Sequence, residues 1–316
     1  MTQELIAVVG YGAVGRSITA RLAKEGRSVR VVQRARPESL PEQVTFETGD
    51  ALDAASIGQA LKGCSAVVCS LGFPYRASVW EEAWPRVMSN ILAACEAEQA
   101  RLVFADNMYM YGPQTLPLTE DMALADYRRK PRSRTVATRL WQKAHLDGRV
   151  QAVAVRSSDF YGPGVRQSIF GVPTLGLIAQ DKTVLMTADP DFPHDVTHVD
   201  DYARAVVTLL DASVRDYGKA WHVPCSATIA FRQFMEIAAA AIGVELKIRR
   251  VGEISTYLLG FLSRDVAEYR EMHFLLDRPY LVDSSRFRDR FWSDTIPFET
   301  GIAQAVASFR PSEQSA

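Results

Sequence analysis

Cysteine is scarce in this chain: Cys64, Cys69, Cys95 and Cys225 are the four among 316 residues. None forms a Cys-x-x-Cys pair, so neither the usual zinc spacings nor a disulfide-dense scaffold is expected, and the four read as reduced thiols. No apolar run approaches the roughly 18 residues that a membrane helix needs. The first ten residues have no basic stretch leading into a long apolar one, so the expected location is the cytoplasm. A charge excess is missing as well. With 36 basic against 37 acidic side chains, a wholly basic nucleic-acid binder is excluded. Repeats and low-complexity linkers are absent too. What remains is 47% hydrophobic and 23% charged, a composition that buries a substantial core in one large or two smaller domains.

Short apolar runs alternate with longer amphipathic stretches through the first half, the pattern of βαβ units feeding a parallel sheet. Strands are expected at 5–9, 29–33, 44–47, 66–70, 101–105 and 151–156, with helices at 14–24, 54–61, 86–98 and 133–146. The fold class is therefore α/β, a Rossmann-type doubly wound parallel sheet. After about Gly162 the alternation stops, and a Gly- and Pro-bearing run to Pro193 reads as irregular. A helix over 200–210 and a strand at 220–223 return to the sheet, and a helix covers 231–242. The aromatic remainder, with Tyr257, Phe261, Tyr269, Phe274, Phe287, Phe291 and Trp292, suggests a small, mainly helical substrate lobe. The expected division is residues 1–162, with a return at about 195–225, against 163–194 plus 226–316.

Directly after the first apolar strand stands Gly10-Tyr11-Gly12-Ala13-Val14-Gly15, a Gly-x-Gly-x-x-Gly run that opens a helix. Such glycines allow a tight turn, close approach of backbone to pyrophosphate, and close helix packing, with phosphate at the helix N-terminus. An acidic residue about 20 positions on would take the ribose hydroxyls of NAD. The second strand instead ends Gln33-Arg34-Ala35-Arg36, and two guanidiniums suit the extra phosphate of NADP. NADP(H) is the expected cofactor, with NAD, through Glu38, as the alternative. Further along, Asp50 and Ala51 are placed by the adenine and Asp53 caps the next helix. Ser70, Leu71 and Gly72 end the fourth strand, where small residues let the cofactor pass close to the backbone.

These pieces, together with Asn90 and the strings Phe104-Ala105-Asp106-Asn107-Met108-Tyr109-Met110-Tyr111-Gly112, Arg156-Ser157-Ser158-Asp159-Phe160-Tyr161-Gly162-Pro163-Gly164 and His194-Asp195-Val196-Thr197-His198-Val199-Asp200-Asp201, resemble the extended and atypical short-chain dehydrogenase/reductases, the NAD-dependent epimerase/dehydratase-like group. The likeness spans about residues 5–245. It implies acid-base chemistry by a Tyr whose phenol is tuned by a Lys four residues on, with a Ser or Thr beside them. Asn107 stands where the Ser or Thr would. The expected Tyr falls near Lys130 and the expected Lys near Arg134, so the Tyr-x-x-x-Lys pair is missing. Three candidates for the proton donor follow: Tyr127 with Lys130, three apart on a helix and so rotated but still neighbours, Lys130 acting directly, and Tyr109. Tyr111 reads as packing.

Six basic residues between Arg128 and Arg139, without an acid, read either as a site for an anionic group or as a solvated loop. Asp159, with Phe160 and Tyr161, is placed against substrate. Relatives acting on nucleotide-sugars usually have Asn there, and a carboxylate would repel a diphosphate; Arg156 is its structural alternative partner. Asp200 is expected to cap a helix. His194 and His198 lack a third ligand, and no metal is expected. The leading reading is an NADP(H)-dependent oxidoreductase on a small carbonyl or alcohol substrate. An epimerase or dehydratase with retained NAD(P) and a non-catalytic NADP(H)-binding sensor are the alternatives. A homodimer through the helices around 86–98 and 133–146 is the expected assembly, with neither nucleic acid nor membrane as partner.

Overall fold

A computed structural model describes residues 4–187, 189–251 and 264–310. Tyr257 and Phe261 lie outside the described residues. The chain divides into two compact units, Met1–Gly112, Glu120–Arg156 and Tyr202–His222 forming the first, and Pro113–Thr119, Ser157–Asp201 and Val223–Ala316 the second.

In the first unit, β1 (Leu5–Val9), β2 (Ser28–Gln33), β3 (Thr45–Thr48), β4 (Ala66–Cys69), β5 (Arg101–Asp106), β6 (Ala152–Arg156) and β11 (Ala220–His222) form one sheet. Its order is β11-β6-β5-β4-β1-β2-β3, and every pairing is parallel. Strands such as Leu-Ile-Ala-Val-Val and Ala-Val-Val-Cys are apolar on both faces because helices cover both. The order reverses between β1 and β4, whose pairing joins Val9 to Cys69. Ligands of doubly wound sheets bind beyond the strand ends at such a reversal.

Helices α1 (Ala13–Lys24), α2 (Ala54–Ala60), α3 (Ala77–Glu98) and α4 (Arg129–Leu146) cover the sheet. On α1, Val14, Ile18 and Leu22 recur at four-residue spacing and are buried. Two helix starts differ from the sequence expectation by more than one residue. The third helix begins at Ala77 rather than 86, with Pro85 inside it. The buried series Ala77, Trp80, Trp84, Val87, Met88 and Ile91 runs through the proline, so tertiary burial of two tryptophans outweighs the lost backbone donor. The fourth begins at Arg129 rather than 133, because Pro131 sits in its first turn, where no N–H is needed.

The second unit carries three two-stranded ribbons. They pair β7 (Asp159–Tyr161) with β10 (Val196–His198), β9 (Pro193–His194) with β12 (Ile229–Ala230), and β8 (Val184–Met186) with β13 (Ile248–Arg250). The run expected to be irregular thus holds a strand and a π-helical turn, Gly171–Gly176. Helices α6 (Phe231–Ile242) and, last in the described chain, Phe298–Ala307 enclose an aromatic and aliphatic core that includes Tyr161, Phe170, Phe234 and Ile302. Helix α5 (Val199–Leu210) leads from β10 back to the first unit. No helix among the described residues is long and apolar enough to cross a membrane.

Candidate active site

The turn after β1 assigns a separate task to each glycine. Gly10 has φ +98°, and a Cβ there would lie 3.0 Å from the Ser70 carbonyl oxygen. At Gly15 a Cβ would fall 2.0 Å from the Gly10 carbonyl oxygen, so only glycine lets α1 approach the turn this closely. Gly12 has nothing within 4 Å of the same position, leaving its backbone open to a ligand. Ser70 Oγ donates to the Gly10 carbonyl at 2.9 Å and so ties the turns after β1 and β4 together. The N-cap of α1, Gly12, has no side chain to satisfy the first N–H groups, and no acid lies in the first turn, which contains Ala13 and Val14. Tyr11 is half-buried; burial raises its phenol pKa and Arg16 opposes the rise. This geometry fits a bound diphosphate.

Arg34 and Arg36 follow β2 and are exposed, with the Arg36 guanidinium 5.6 Å from the centre of the Phe46 ring. Gln33 Nε2 donates to the Ala35 carbonyl at 2.7 Å, shaping the turn that carries them. The Asp50 carboxylate accepts from Leu52 N–H at 2.9 Å, while Asp53 accepts from Ser56 N–H and caps α2. Asn90, on α3, donates to the Ala51 carbonyl at 2.9 Å. Its amide thus holds the 50–53 turn in place. Leu71 is half-buried and Gly72 exposed.

Beyond β5, the Asn107 side-chain oxygen accepts from Tyr109 N–H at 3.1 Å and folds the chain into the short helical turn Tyr109–Tyr111. The Tyr109 ring stacks on Trp80, with centroids 6.0 Å apart and planes 16° from parallel. Tyr127 precedes α4, and Arg128, at φ +41°, turns the chain between them. The helix starts only at Arg129, so Tyr127 and Lys130 do not lie three apart along one helix, contrary to the sequence expectation. Lys130 is fully buried in the first turn, its ammonium 4.2 Å from the centre of the Tyr75 ring.

One turn later Arg134 is also buried, its guanidinium 3.8 Å from the Trp84 ring centre and paired with Asp106. Asp106 further accepts from Arg156 Nε at 3.4 Å, and Arg156 donates to the Tyr111 hydroxyl at 2.6 Å. Tyr111 in turn meets His222 Nε2 at 2.8 Å. Burial raises the Tyr111 phenol pKa, with Arg156 opposing. The basic run is thus resolved: Arg129 pairs with Glu81 and Arg132 with Asp126 at the surface, whereas Lys130 and Arg134 turn inward. Sequence reasoning missed the parts played by Asp106, Tyr75 and Trp80. A carboxylate ending an apolar strand was the available signal for Asp106; Tyr75 and Trp80 had none.

In the second unit the Asp159 carboxylate lies 3.1 Å from His194 Nε2. Arg156, the partner considered from sequence, is taken by Asp106 instead. Phe160 is half-buried, while Tyr161 is 1% exposed and packs edge-on against His198 and Phe234. Tyr161 is accordingly a core residue. The Asp200 cap is a further correction: His198 precedes α5, and its Nδ1 accepts from Asp200 N–H at 3.2 Å. With His194 on Asp159 and His198 on the helix, the two imidazoles serve separate purposes. Burial pushes the Cys225 thiol up to about 12, and the Cys69 thiol to about 11.

A glycine-lined turn at the reversal point of a seven-stranded parallel sheet defines a dinucleotide-binding protein of Rossmann type. More particularly, the chain belongs to the NAD dependent epimerase/dehydratase family, whose model matches residues 6–223. Among solved structures it is similar to Bordetella bronchiseptica WbmH in complex with NAD+ (20% identity, TM-score 0.75, covering 97% of this chain and 98% of that one). It is also similar to the dTDP-glucose 4,6-dehydratase DesIV of Streptomyces venezuelae (18%, TM-score 0.79, 96% of each chain). A third is the UDP-glucuronic acid 4-epimerase of Bacillus cereus (15%, TM-score 0.79, 96% and 98%). Among curated proteins, the uncharacterized protein Rv2047c of Mycobacterium tuberculosis (strain ATCC 25618 / H37Rv) is 27% identical over 300 residues, 90% of this chain. The match spans 28% of that relative's length.

Proposed function

We propose that the chain is an NADP(H)-dependent oxidoreductase acting on a small carbonyl or alcohol substrate, with Lys130 as the proton donor. The observation that carries this reading is the fate of the two cations on α4: Arg134 is committed to Asp106, and Lys130 is the buried protonatable group one turn earlier. Bound nicotinamide would supply or take the hydride. Gly10, Gly12, Gly15 and Ser70 would hold its diphosphate side and Arg34 and Arg36 its extra phosphate, with Asp50, Ala51, Leu71, Gly72 and Asn90 shaping the flanking turns. Lys130 would then give a proton to the carbonyl oxygen in reduction and recover it from solvent. Asn107 and Tyr109 would flank the reacting group.

Family membership, and a whole-chain likeness to structures holding NAD and nucleotide-sugar ligands, favour a second reading. In it an epimerase or dehydratase retains NAD(P) and reoxidises it within each turnover. A panel of carbonyl compounds with NADPH separates the two, because net consumption of NADPH supports the first and turnover without it the second. Lys130→Met is expected to lower the rate by at least about a hundredfold, the usual worth of a positioned acid, while NADPH binding persists. Unchanged turnover in that variant excludes Lys130 as donor. NADPH binding with no turnover of any panel member supports a non-catalytic sensor.

A further inference from the structure

Ser70 reaches from the turn after β4 into the turn after β1. Cys69 closes β4 and pairs with Val9 of β1, so the two turns lie side by side. Ser70 N–H donates to the Val9 carbonyl at 2.9 Å and continues the ladder. Its side chain goes one residue further, with Oγ donating to the Gly10 carbonyl at 2.9 Å while lying 3.3 Å from that of Val9. The Gly10 oxygen is thus held from two sides. Gly15 of α1 closes on it more tightly than any Cβ would permit, and Ser70 Oγ is 2.9 Å from where that Cβ would stand. Gly10 N–H is engaged as well, with the Val32 carbonyl at 2.9 Å. Gly10 and Gly15 are buried, Ser70 is half-buried, and Gly12 is exposed.

We propose that Ser70 is a positioning residue for the cofactor's diphosphate: its hydroxyl locks the Gly10–Tyr11 peptide with the carbonyl turned inward, which aims the Tyr11 N–H outward at the anion. This rests on the reading of the turn as a dinucleotide site. In a trans peptide the C=O and N–H point in opposite directions, so holding one end sets the other. The lock has a purpose because Gly10 sits at φ +98°. The backbone freedom that lets glycine form this turn would also let the following peptide rotate. Rotated, it would present a carbonyl oxygen to a polyanion and remove a donor from it. A buried carbonyl that loses its donor also keeps the cost of its desolvation, which strengthens the preference for one orientation. With its one hydrogen given to backbone carbonyls, Ser70 acts on a phosphate through Gly10 rather than as a donor of its own.

The test uses the whole chain and two readouts. Titration calorimetry with NADPH and NADH gives affinity, and selective ¹⁵N-tyrosine labelling gives the Tyr11 amide signal, identified by its absence in Tyr11→Phe. In the native chain the better-bound dinucleotide should move that signal downfield, as a new hydrogen bond to phosphate does. Ser70→Ala should weaken the same dinucleotide about tenfold, the worth of one hydrogen bond, and should broaden or split the Tyr11 signal before any ligand is added. Ser70→Thr keeps the hydroxyl and should restore both. If Ser70→Ala does not fold, Ser70→Cys, a weaker donor, should show a smaller change in the same direction. Native affinity in the alanine or cysteine variant overturns the proposal, and so does weaker binding with a native Tyr11 signal that the dinucleotide leaves unmoved. A native chain that binds neither dinucleotide removes the cofactor reading itself, and the proposal falls with it.

Discussion

At the scale of single residues, Gly12 and Gly15 look alike in the sequence and are opposite in structure. A methyl at Gly15 would press on the Gly10 carbonyl at 2.0 Å, a backbone atom that cannot swing aside, and on the Ser70 hydroxyl at 2.9 Å. Gly15→Ala should therefore cost about 1–3 kcal/mol of stability, the usual range for overpacking. Gly12→Ala meets no protein atom within 4 Å, and its φ of −74° suits alanine. Its stability should change by no more than a few tenths of a kcal/mol, apart from the small preference for glycine at an N-cap. If this backbone lies against a diphosphate, however, its affinity for NADPH should fall. Urea unfolding and an NADPH titration of both variants separate the two roles. Equal loss of stability in both would show that the turn is merely tight.

Within the elements, the spacing of apolar residues carried most of the information, and its failures have local causes. The bounds of β1 and α6 follow directly from the pattern, because nothing interrupts it. Pro85 and Pro131 break the pattern in α3 and α4, and in each case the helix continues because a buried face demands it or because the proline falls where its missing donor costs nothing. The start of α5 was misread for another reason. Aspartate is a common N-cap, and an imidazole in that role leaves no distinctive sequence signal. The cap has a consequence for pH. Nδ1 of His198 can accept the Asp200 N–H only while unprotonated, and a cation there would oppose the helix dipole. Burial lowers the His198 pKa from its ordinary value, with Asp200 opposing. The folded state therefore binds this proton less readily than the unfolded one. The stability contributed by neutral His198 is complete above about pH 6.5 and is lost as pH falls through the folded value, at no more than about 1.4 kcal/mol per pH unit. His198→Asn keeps an acceptor without a titrating group. Between pH 7 and 5 its unfolding free energy should fall less steeply than that of the native chain, and parallel slopes would remove His198 from the account.

For the whole molecule, the sheet and its reversal point were legible because each βαβ unit is written in consecutive residues. The interior of the candidate site was not. Tyr75 and Lys130 are brought together by the packing of α3 on α4, as are Asp106 and Arg134 by β5 and α4, and no local spacing encodes those meetings. The glycine turn and the arginines after β2 are local, so the cofactor can be argued from sequence and tested on the entire fold. A ligand that binds only the folded chain stabilises it by mass action, about 2.7 kcal/mol at one hundred times its dissociation constant. If Arg34 and Arg36 take a phosphate, NADPH should raise the melting temperature by several degrees more than NADH at equal concentration. Replacing both arginines with alanine should erase that difference while leaving the ligand-free melting temperature nearly unchanged, since both side chains are exposed. The preference should also shrink in high salt, where exposed charges are screened. An equal or larger shift with NADH in the native chain would assign the turn to NAD, and the two arginines would then be ordinary surface residues beside Phe46.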